Sequence, residues 1–258
     1  MLRVSVAPTN EMKLIGIIPA RYASSRLPGK PLVDIGGKSM VQRVWEQARA
    51  SRSLGRVVIA TDDLRIAEHV RGFGAEAQMT RGDHPSGTDR CHEALQQSGG
   101  EFDGVVNIQG DEPFVVPAQI DEAASALREE GVDIATLAQV ITNDAEIDDP
   151  GEAKIIVDHR MNALLFSRSA IPHLRNNDGR ARWQQFRYLK HVGLYAYRTA
   201  ALGRIVQLSP SPLEIAESLE QLRWLEAGMR IRVGLTEHPS FCVDTPADLV
   251  EARRRVGS

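Results

Sequence analysis

Short apolar runs alternate with helical patterns along the first half of the chain, and this alternation constrains the fold more than any other feature. The run Leu14 to Ile18 is β-branched and ends at Pro19, as is typical of a buried strand. A helix is predicted from Ser39, where Gln42 completes a capping box, and a second strand from Arg56 to Thr61. The pattern continues with strands at 75–80 and 105–108 and with helices from 62 or 63, at 88–97 and from Pro117. Strands separated by helices of this length need crossover connections, which predicts an α/β fold with a doubly wound, mainly parallel sheet.

The second half of the chain has more strand patterns and fewer helices. Strands are predicted at Ile134–Ile141, Lys154–Val157, Ala163–Ser167 and Val192–Tyr197. We expect one α/β domain over residues 13–258, with a smaller mixed portion at about 150–210, after a loose N-terminal extension over residues 1–12. A capping box at 211–214 predicts a helix that ends at Gly228, and a similar start signal at 245–248 predicts a C-terminal helix.

The composition argues against several classes of protein. Lys and Arg total 31 against 34 Asp and Glu, so the formal net charge is −3, and a dedicated nucleic-acid binder usually carries a strongly basic face. No stretch reaches the roughly 18 apolar residues of a membrane helix, and no secretory signal is evident. The two cysteines, Cys91 and Cys242, have no zinc-site spacing. We therefore expect a soluble, cytoplasmic protein that binds neither nucleic acid nor membranes.

A basic loop follows the first predicted strand, from Pro19 to Pro31. It carries Arg21, Arg26 and Lys30, together with prolines that stiffen it and a glycine that lets a ligand approach the backbone. Exposed amides beside Arg and Lys side chains suit a phosphate, although a solvated basic loop held by prolines has the same composition. Two known phosphate motifs are excluded: Leu32 replaces the first glycine of a Walker loop, and no GxGxxG follows the strand.

Two aspartates follow strand-like runs. Asp111 lies in the turn after 105–108, and Asp244 ends the β-like run from Phe241 and precedes a helix. Magnesium binds one or two carboxylates together with substrate phosphates, so Asp111 is a candidate metal ligand. Asp244 could join it only if the two side chains face each other, which the spacing does not show. Asp111 could instead cap its turn, and Asp244 could simply start the helix. The next residue, Glu112, is expected to point to the opposite side, toward solvent.

A polar loop at 81–90 leads into the third predicted helix. Ser86, Gly87 and Thr88 could offer hydroxyl and backbone groups to a polar ligand, whereas the alternative is that Ser86 or Thr88 is only an N-cap.

Taken together, these segments resemble the CMP-Kdo synthetases, the 3-deoxy-manno-octulosonate cytidylyltransferase family. The similarity extends from Lys13 to Val256. No single segment is specific for the family, but the presence of all of them in this order is. The matching segments are IPARYASSRLPGKPL (18–32), ATD (60–62), SGTDR (86–90), QGDEP (109–113), FSR (166–168), HVGLY (191–195), SPLE (211–214), EQLR (220–223) and VDTP (243–246).

The resemblance implies a fold, an activity and partners. Members of this family have the nucleotidyltransferase fold, like that of nucleotide-diphospho-sugar transferases, and they transfer CMP from CTP to the anomeric hydroxyl of Kdo. Pyrophosphate is released, and the CMP-Kdo is used in lipopolysaccharide biosynthesis. The similarity also implies a Mg²⁺ cofactor and a homodimer formed through the smaller, mixed portion.

The resemblance also assigns roles to individual residues. Arg21 and Lys30 would hold the triphosphate, with Arg26 as a weaker candidate, and Asp111 and Asp244 would bind magnesium. The remaining nucleotide contacts would be Pro19, Ala20 and, at the ribose, Gln109. The sugar-acid pocket would comprise Ser86, Gly87, Thr88, Arg168, His191, Tyr195, Glu220 and Gln221. Arg168 suits a carboxylate because a guanidinium can donate two parallel hydrogen bonds. A role for His191 as a base stays open.

Two alternatives stay open from the sequence. A cytidylyltransferase for an amino-substituted Kdo would need few changes in the pocket, whereas enzymes for sialic acid have a differently composed first loop. A non-catalytic nucleotide-binding module would bind CTP without turnover, but such a module would not need a pair of metal-binding carboxylates.

Overall fold

The structure is a computed structural model that describes residues 12–23 and 27–257. Arg26 and residues 1–11 of the predicted extension lie outside the described residues, while Met12 is partly buried against the core. The strands are β1 Leu14–Ala20, β2 Asp34–Ile35, β3 Lys38–Ser39, β4 Leu54–Thr61, β5 Glu76–Met79, β6 Gly104–Asn107, β7 Ile134–Val140, β8 Lys154–Val157, β9 Ala163–Ser167, β10 Leu189–Arg198 and β11 Ile231–Leu235. The helices are α1 Met40–Arg49, α2 Leu64–Gly72, α3 Gly87–Gln97, α4 Pro117–Arg128, α5 Asp144–Asp148, α6 Arg182–Gln185, α7 Thr199–Ile205, α8 Pro212–Glu217, α9 Gln221–Glu226 and α10 Pro246–Gly257, with a 3₁₀ turn at Lys30–Leu32.

The main sheet confirms the predicted α/β class. Its central path has the strand order β11-β7-β10-β6-β1-β4-β5. β1 pairs in parallel with β4 and β6, β4 with β5, and β7 with β11, whereas β10 is antiparallel to both of its neighbours on this path. The β8–β9 hairpin joins the sheet where β8 pairs with β10, so the predicted smaller portion is continuous with the rest. The exact division of the chain into extension and domain stays a prediction.

Helices cover both faces of this sheet, as the crossover connections require. One core cluster contains the apolar positions of α1, α2 and α4 against one face. A second cluster contains those of α3, α7 and α9 against the other face. No helix of the described part of the chain is long and apolar enough to cross a membrane.

Local capping signals account for most helix starts. The Ser39 hydroxyl accepts a hydrogen bond from the Gln42 amide at 3.3 Å, and Ser211 and Glu214 form a reciprocal capping box. The Gln42 side chain, however, donates to Glu46, and within the described residues it accepts no hydrogen bond from the Ser39 amide, so only half of the predicted box at α1 is present.

Two predictions about the C-terminal third are wrong. The single helix predicted between Ser211 and Gly228 is two helices, α8 and α9, separated at Ser218, whose φ of 52° is left-handed. The β-like run ending at Asp244 is an irregular segment outside the sheet. It is held by a 2.9 Å bond from the Val243 amide to the carbonyl of Asp111. These tertiary contacts replace the regular elements that local patterns suggested.

Candidate active site

A polar cavity of about 340 Å³ lies at the carboxyl ends of β1 and β6. Eight of its lining residues are predicted site residues: Pro19, Ala20, Arg21, Lys30, Gly87, Gln109, Asp111 and Asp244. The other lining residues are Ala23, Pro31 and Gly110. The structure therefore brings together the predicted nucleotide and metal residues that lie in its described part, with Gly87 of the predicted sugar-acid pocket beside them.

The two strands converge because they are parallel neighbours, with Ile17 opposite Asn107. The segments that continue each strand then lie side by side, and a Cβ on Gly110 would be 2.7 Å from the carbonyl oxygen of Pro19. Only glycine permits this approach without a shift of the backbone. The close contact sets the floor of the cavity between the basic loop and the Asp111 turn.

The Lys30 ammonium lies between the two aspartates. Its Nζ is 2.7 Å from Asp111 Oδ2 and 2.8 Å from Asp244 Oδ1. Burial works to lower the pKa of Lys30, but the two carboxylates outweigh it and the pKa is raised. The group is therefore a charged ammonium at neutral pH. Lys30 and Asp244 are 214 positions apart in the chain, and their contact brings the Asp244 carboxylate to face that of Asp111, a point that the sequence leaves open.

The donor set at this point fits a divalent cation. One carboxylate oxygen each from Asp111 and Asp244 and the Sγ of Cys242 all lie within 4.8 Å of one another. Carboxylates are the ligands that magnesium prefers, and it commonly takes one or two of them with substrate phosphates completing the shell. The two carboxylates therefore fit the Mg²⁺ that the resemblance implies, and the cofactor itself stays a prediction.

Arg21 lies exposed at the mouth of the cavity. Its guanidinium donates to the carbonyl of His84 at 3.4 Å, which links the basic loop to the loop before α3. The adjacent Gly87 lies against Pro19, so the start of α3 forms one wall of the cavity.

A second polar group adjoins that wall and is centred on Glu220. Its carboxylate accepts hydrogen bonds from Ser86 Oγ at 3.1 Å and from Thr88 Oγ1 at 2.8 Å, and Arg223 pairs with it. Beside it, the buried amide nitrogen of Gln221 has no hydrogen-bond partner in the part of the chain that the structure describes. Buried donors are normally satisfied, so this one is a candidate ligand contact.

Buried aromatic side chains lie near Glu220: burial raises the pKa of Tyr195, and the charge of Glu220 adds to the rise. The His191 ring lies 5.2 Å from that of Tyr195, which in turn contacts Trp224 at 5.0 Å. Burial lowers the pKa of His191 to about 3, and its Nε2 lies 3.0 Å from the hydroxyl of Thr136. The imidazole is therefore neutral at physiological pH and a weak base.

Arg168 is not brought into this arrangement. Its guanidinium donates to the backbone carbonyls of Glu217 at 2.8 Å and Pro150 at 2.9 Å, and its amide donates to the Glu217 carboxylate at 2.9 Å. The carboxylate-binding role stays a prediction, and in this structure Arg168 instead ties the end of β9 to α8.

A model of the family described as cytidylyltransferase matches residues 15–231. The chain belongs to the cytidylyltransferase family.

Relatives named 3-deoxy-manno-octulosonate cytidylyltransferase are similar along nearly their whole length. The protein from Parabacteroides distasonis is 47% identical, covering 93% of this chain and 97% of its own. The one from Rhodopseudomonas palustris (strain BisB5) is 51% identical, covering 93% and 96%.

Solved structures agree with the fold. A CMP:2-keto-3-deoxy-manno-octonic acid synthetase in complex with CTP superposes with a TM-score of 0.88 at 44% identity, covering 95% of this chain and 98% of that one. A 4-diphosphocytidyl-2C-methyl-D-erythritol synthase from Anaerococcus prevotii, 12% identical with a TM-score of 0.64, covers 96% of this chain and 100% of its own, and it shares the fold.

Sequence reasoning misplaced one carboxylate of this cytidylyltransferase. Glu112 was expected to face solvent, but it is only 7% exposed and accepts a hydrogen bond from Ser240 at 2.9 Å. Burial raises its pKa to about 7, the Ser240 bond opposes the rise, and Asp111 and Glu152 add to it. Strand alternation does not apply here because β6 ends at Asn107 and the chain turns.

Proposed function

We propose that this protein transfers CMP from CTP to the anomeric hydroxyl of Kdo and releases pyrophosphate. The observation that carries the proposal is the cavity in which Arg21 and Lys30 face the carboxylates of Asp111 and Asp244. A metal-bound triphosphate needs cations for its phosphates and carboxylates for its metal in a single cleft. The named relatives, similar along nearly their whole length, support the choice of CTP and Kdo.

In the reaction, the anomeric hydroxyl of the sugar acid loses its proton to solvent, and its oxygen attacks the α-phosphorus of CTP. The bond from that phosphorus to the oxygen that bridges the α- and β-phosphates breaks, and its electrons leave with pyrophosphate. Arg21 and Lys30 would stabilise the charge that develops on this leaving group, while Gln109 would hold the ribose. Positioning and fixed charges are sufficient for such a transfer, so no covalent intermediate on the protein is required.

Asp111 and Asp244 would hold a magnesium ion with the substrate. When bound, this ion neutralises phosphate charge and lowers the pKa of a coordinated hydroxyl. His191 is not needed as a general base in this scheme, and its strongly lowered pKa makes it a poor one.

The group around Glu220 is the proposed sugar-acid pocket. Glu220 would accept hydrogen bonds from sugar hydroxyls in addition to those from Ser86 and Thr88, and the Gln221 amide would donate one. Tyr195 would supply an apolar wall, since it is buried among other rings. Because Gly87 borders both this pocket and the nucleotide cavity, the two substrates would meet there.

We further propose a cytoplasmic homodimer that supplies CMP-Kdo for lipopolysaccharide synthesis. Three large apolar side chains in the smaller portion are exposed: Leu164 (60%) and Leu165 (38%) on β9, and Phe186 (42%) directly after α6. Exposed large apolar side chains in the smaller portion support an interface there. Light scattering after size exclusion should give twice the mass of one chain, and Leu164→Asp should lower it to one.

The function is tested by mixing purified protein with CTP, magnesium and separate sugar acids while pyrophosphate release is measured. We expect turnover with Kdo. Absence of turnover with Kdo, together with turnover of 8-amino-Kdo, would overturn the substrate assignment. Binding of CTP without turnover of any acid would identify a binding module instead of an enzyme.

A further inference from the structure

The Lys30 side chain occupies the space between the carboxylates proposed to bind a cation. Its Nζ donates to one oxygen of Asp111 and one of Asp244, at 2.7 and 2.8 Å. The ammonium is mostly buried, with only 16% of the side chain exposed. In this arrangement the protein neutralises its own metal-binding pair in part.

The backbone at Lys30 is fixed by its neighbours, whereas the side chain of Lys30 is long and flexible. Gly29, with a φ of 67°, starts the 3₁₀ turn, its amide donates to the Tyr22 carbonyl at 3.1 Å, and Pro31 is buried. Four methylene groups therefore carry the ammonium on a flexible arm from a fixed base. Lys30 also lines the cavity with Arg21, so the same ammonium can reach phosphates bound there without a change of the backbone.

The charges of these three side chains determine how strongly a divalent cation can bind. With the ammonium in place, the trio of Lys30, Asp111 and Asp244 has a net charge of −1, and without it the pair has −2. A cation that binds both carboxylates would also lie close to the ammonium and be repelled by it. A triphosphate reverses the balance because it offers the ammonium several negative oxygens.

We propose that Lys30 is a built-in counter-ion that keeps Asp111 and Asp244 from binding a divalent cation until a nucleoside triphosphate draws the ammonium away. The inference rests on the proposed function, since it takes the cavity to be the triphosphate site. Cation and nucleotide are then coupled, and by linkage each raises the affinity for the other. The free enzyme would hold its metal weakly, and the metal would enter together with the nucleotide.

The test measures the binding of Mn²⁺ to the nucleotide-free protein. The decrease of the electron paramagnetic resonance signal of free Mn²⁺ reports the amount bound. Lys30→Met should tighten binding by about ten- to a hundredfold, the range expected when hydrogen bonds to charged groups no longer compete. Lys30→Arg, which keeps the charge, should bind as weakly as the parent. Lys38→Met is the matched control, because Lys38 pairs with Glu46 on the surface.

Adding Asp111→Asn to Lys30→Met should abolish the tight binding, which locates the ion at the aspartate pair. Lys30→Gln repeats the measurement if the methionine variant does not melt cooperatively. Binding by Lys30→Met or Lys30→Gln that is no tighter than that of the parent would overturn the inference. CMP transfer by the parent protein is measured separately, so the proposed function still holds if the Mn²⁺ result overturns the inference about Lys30. Failure of the proposed function would instead be seen as absence of turnover by the parent protein.

Discussion

The free energy of unfolding of the parent protein should decrease as pH rises because the buried Glu112 has to ionise. Replacing Glu112 by glutamine should abolish this decrease. The carboxyl is only 7% exposed, and burial raises its pKa from 4.5 to about 7. Between these two values the folded protein keeps a proton that the unfolded chain releases. Its contribution to stability is therefore complete below about pH 4.5 and is lost as pH rises through about 7.

The magnitude follows from the two pKa values. One pH unit corresponds to about 1.4 kcal/mol, so the rise from 4.5 to about 7 is worth about 3 kcal/mol. Glutamine does not titrate, and its amide oxygen can still accept the hydrogen bond from Ser240. The free energy of unfolding of Glu112→Gln relative to the parent should thus improve by about 3 kcal/mol between about pH 4.5 and pH 8.

Urea unfolding of both proteins across this pH range measures the difference, in which all other titrating groups cancel. Glu101→Gln is the matched control because it makes the same substitution at an exposed glutamate. A difference for Glu112→Gln that does not change with pH would show that the Glu112 carboxyl ionises freely in the folded protein, and the burial argument would be refuted.

Three further substitutions test the site. Asp111→Asn should keep the fold and reduce CMP transfer by about a hundredfold or more at saturating magnesium, as measured by pyrophosphate release, and parental turnover would disprove the metal assignment. Gly110→Ala places a Cβ 2.7 Å from a carbonyl oxygen and should cost about 1–3 kcal/mol in urea unfolding and raise KM for CTP. Gly72→Ala, where no atom lies within 4 Å, should cost nothing. Thr88→Val removes the 2.8 Å bond to Glu220 and should raise KM for Kdo but not for CTP, and equal effects on both would contradict a separate sugar pocket.

Much of the molecule follows from short-range patterns. Apolar runs and helix caps locate β1, β4, β6 and the starts of α1 to α4, because strand burial and capping depend on residues close in sequence. The place of the cavity follows as well, since parallel strands present their carboxyl ends at one edge. The basic loop and the Asp111 turn could therefore be assigned to one site from the sequence.

Long-range contacts decided the remainder. The pairing of Asp244 with Asp111 through Lys30 joins segments that no local pattern relates. At the end of α8, the Glu217 carboxylate accepts hydrogen bonds from the Ser167 hydroxyl and the Arg168 amide, which lie 50 and 49 residues earlier in the chain. The burial of Glu112 depends on a loop 128 residues further along the chain. Hydrophobic periodicity and capping act over a few residues, so the sequence by itself determined most of the elements, the class of the sheet and the family. Only the tertiary structure decided which charges meet, because electrostatic contacts depend on distance in space.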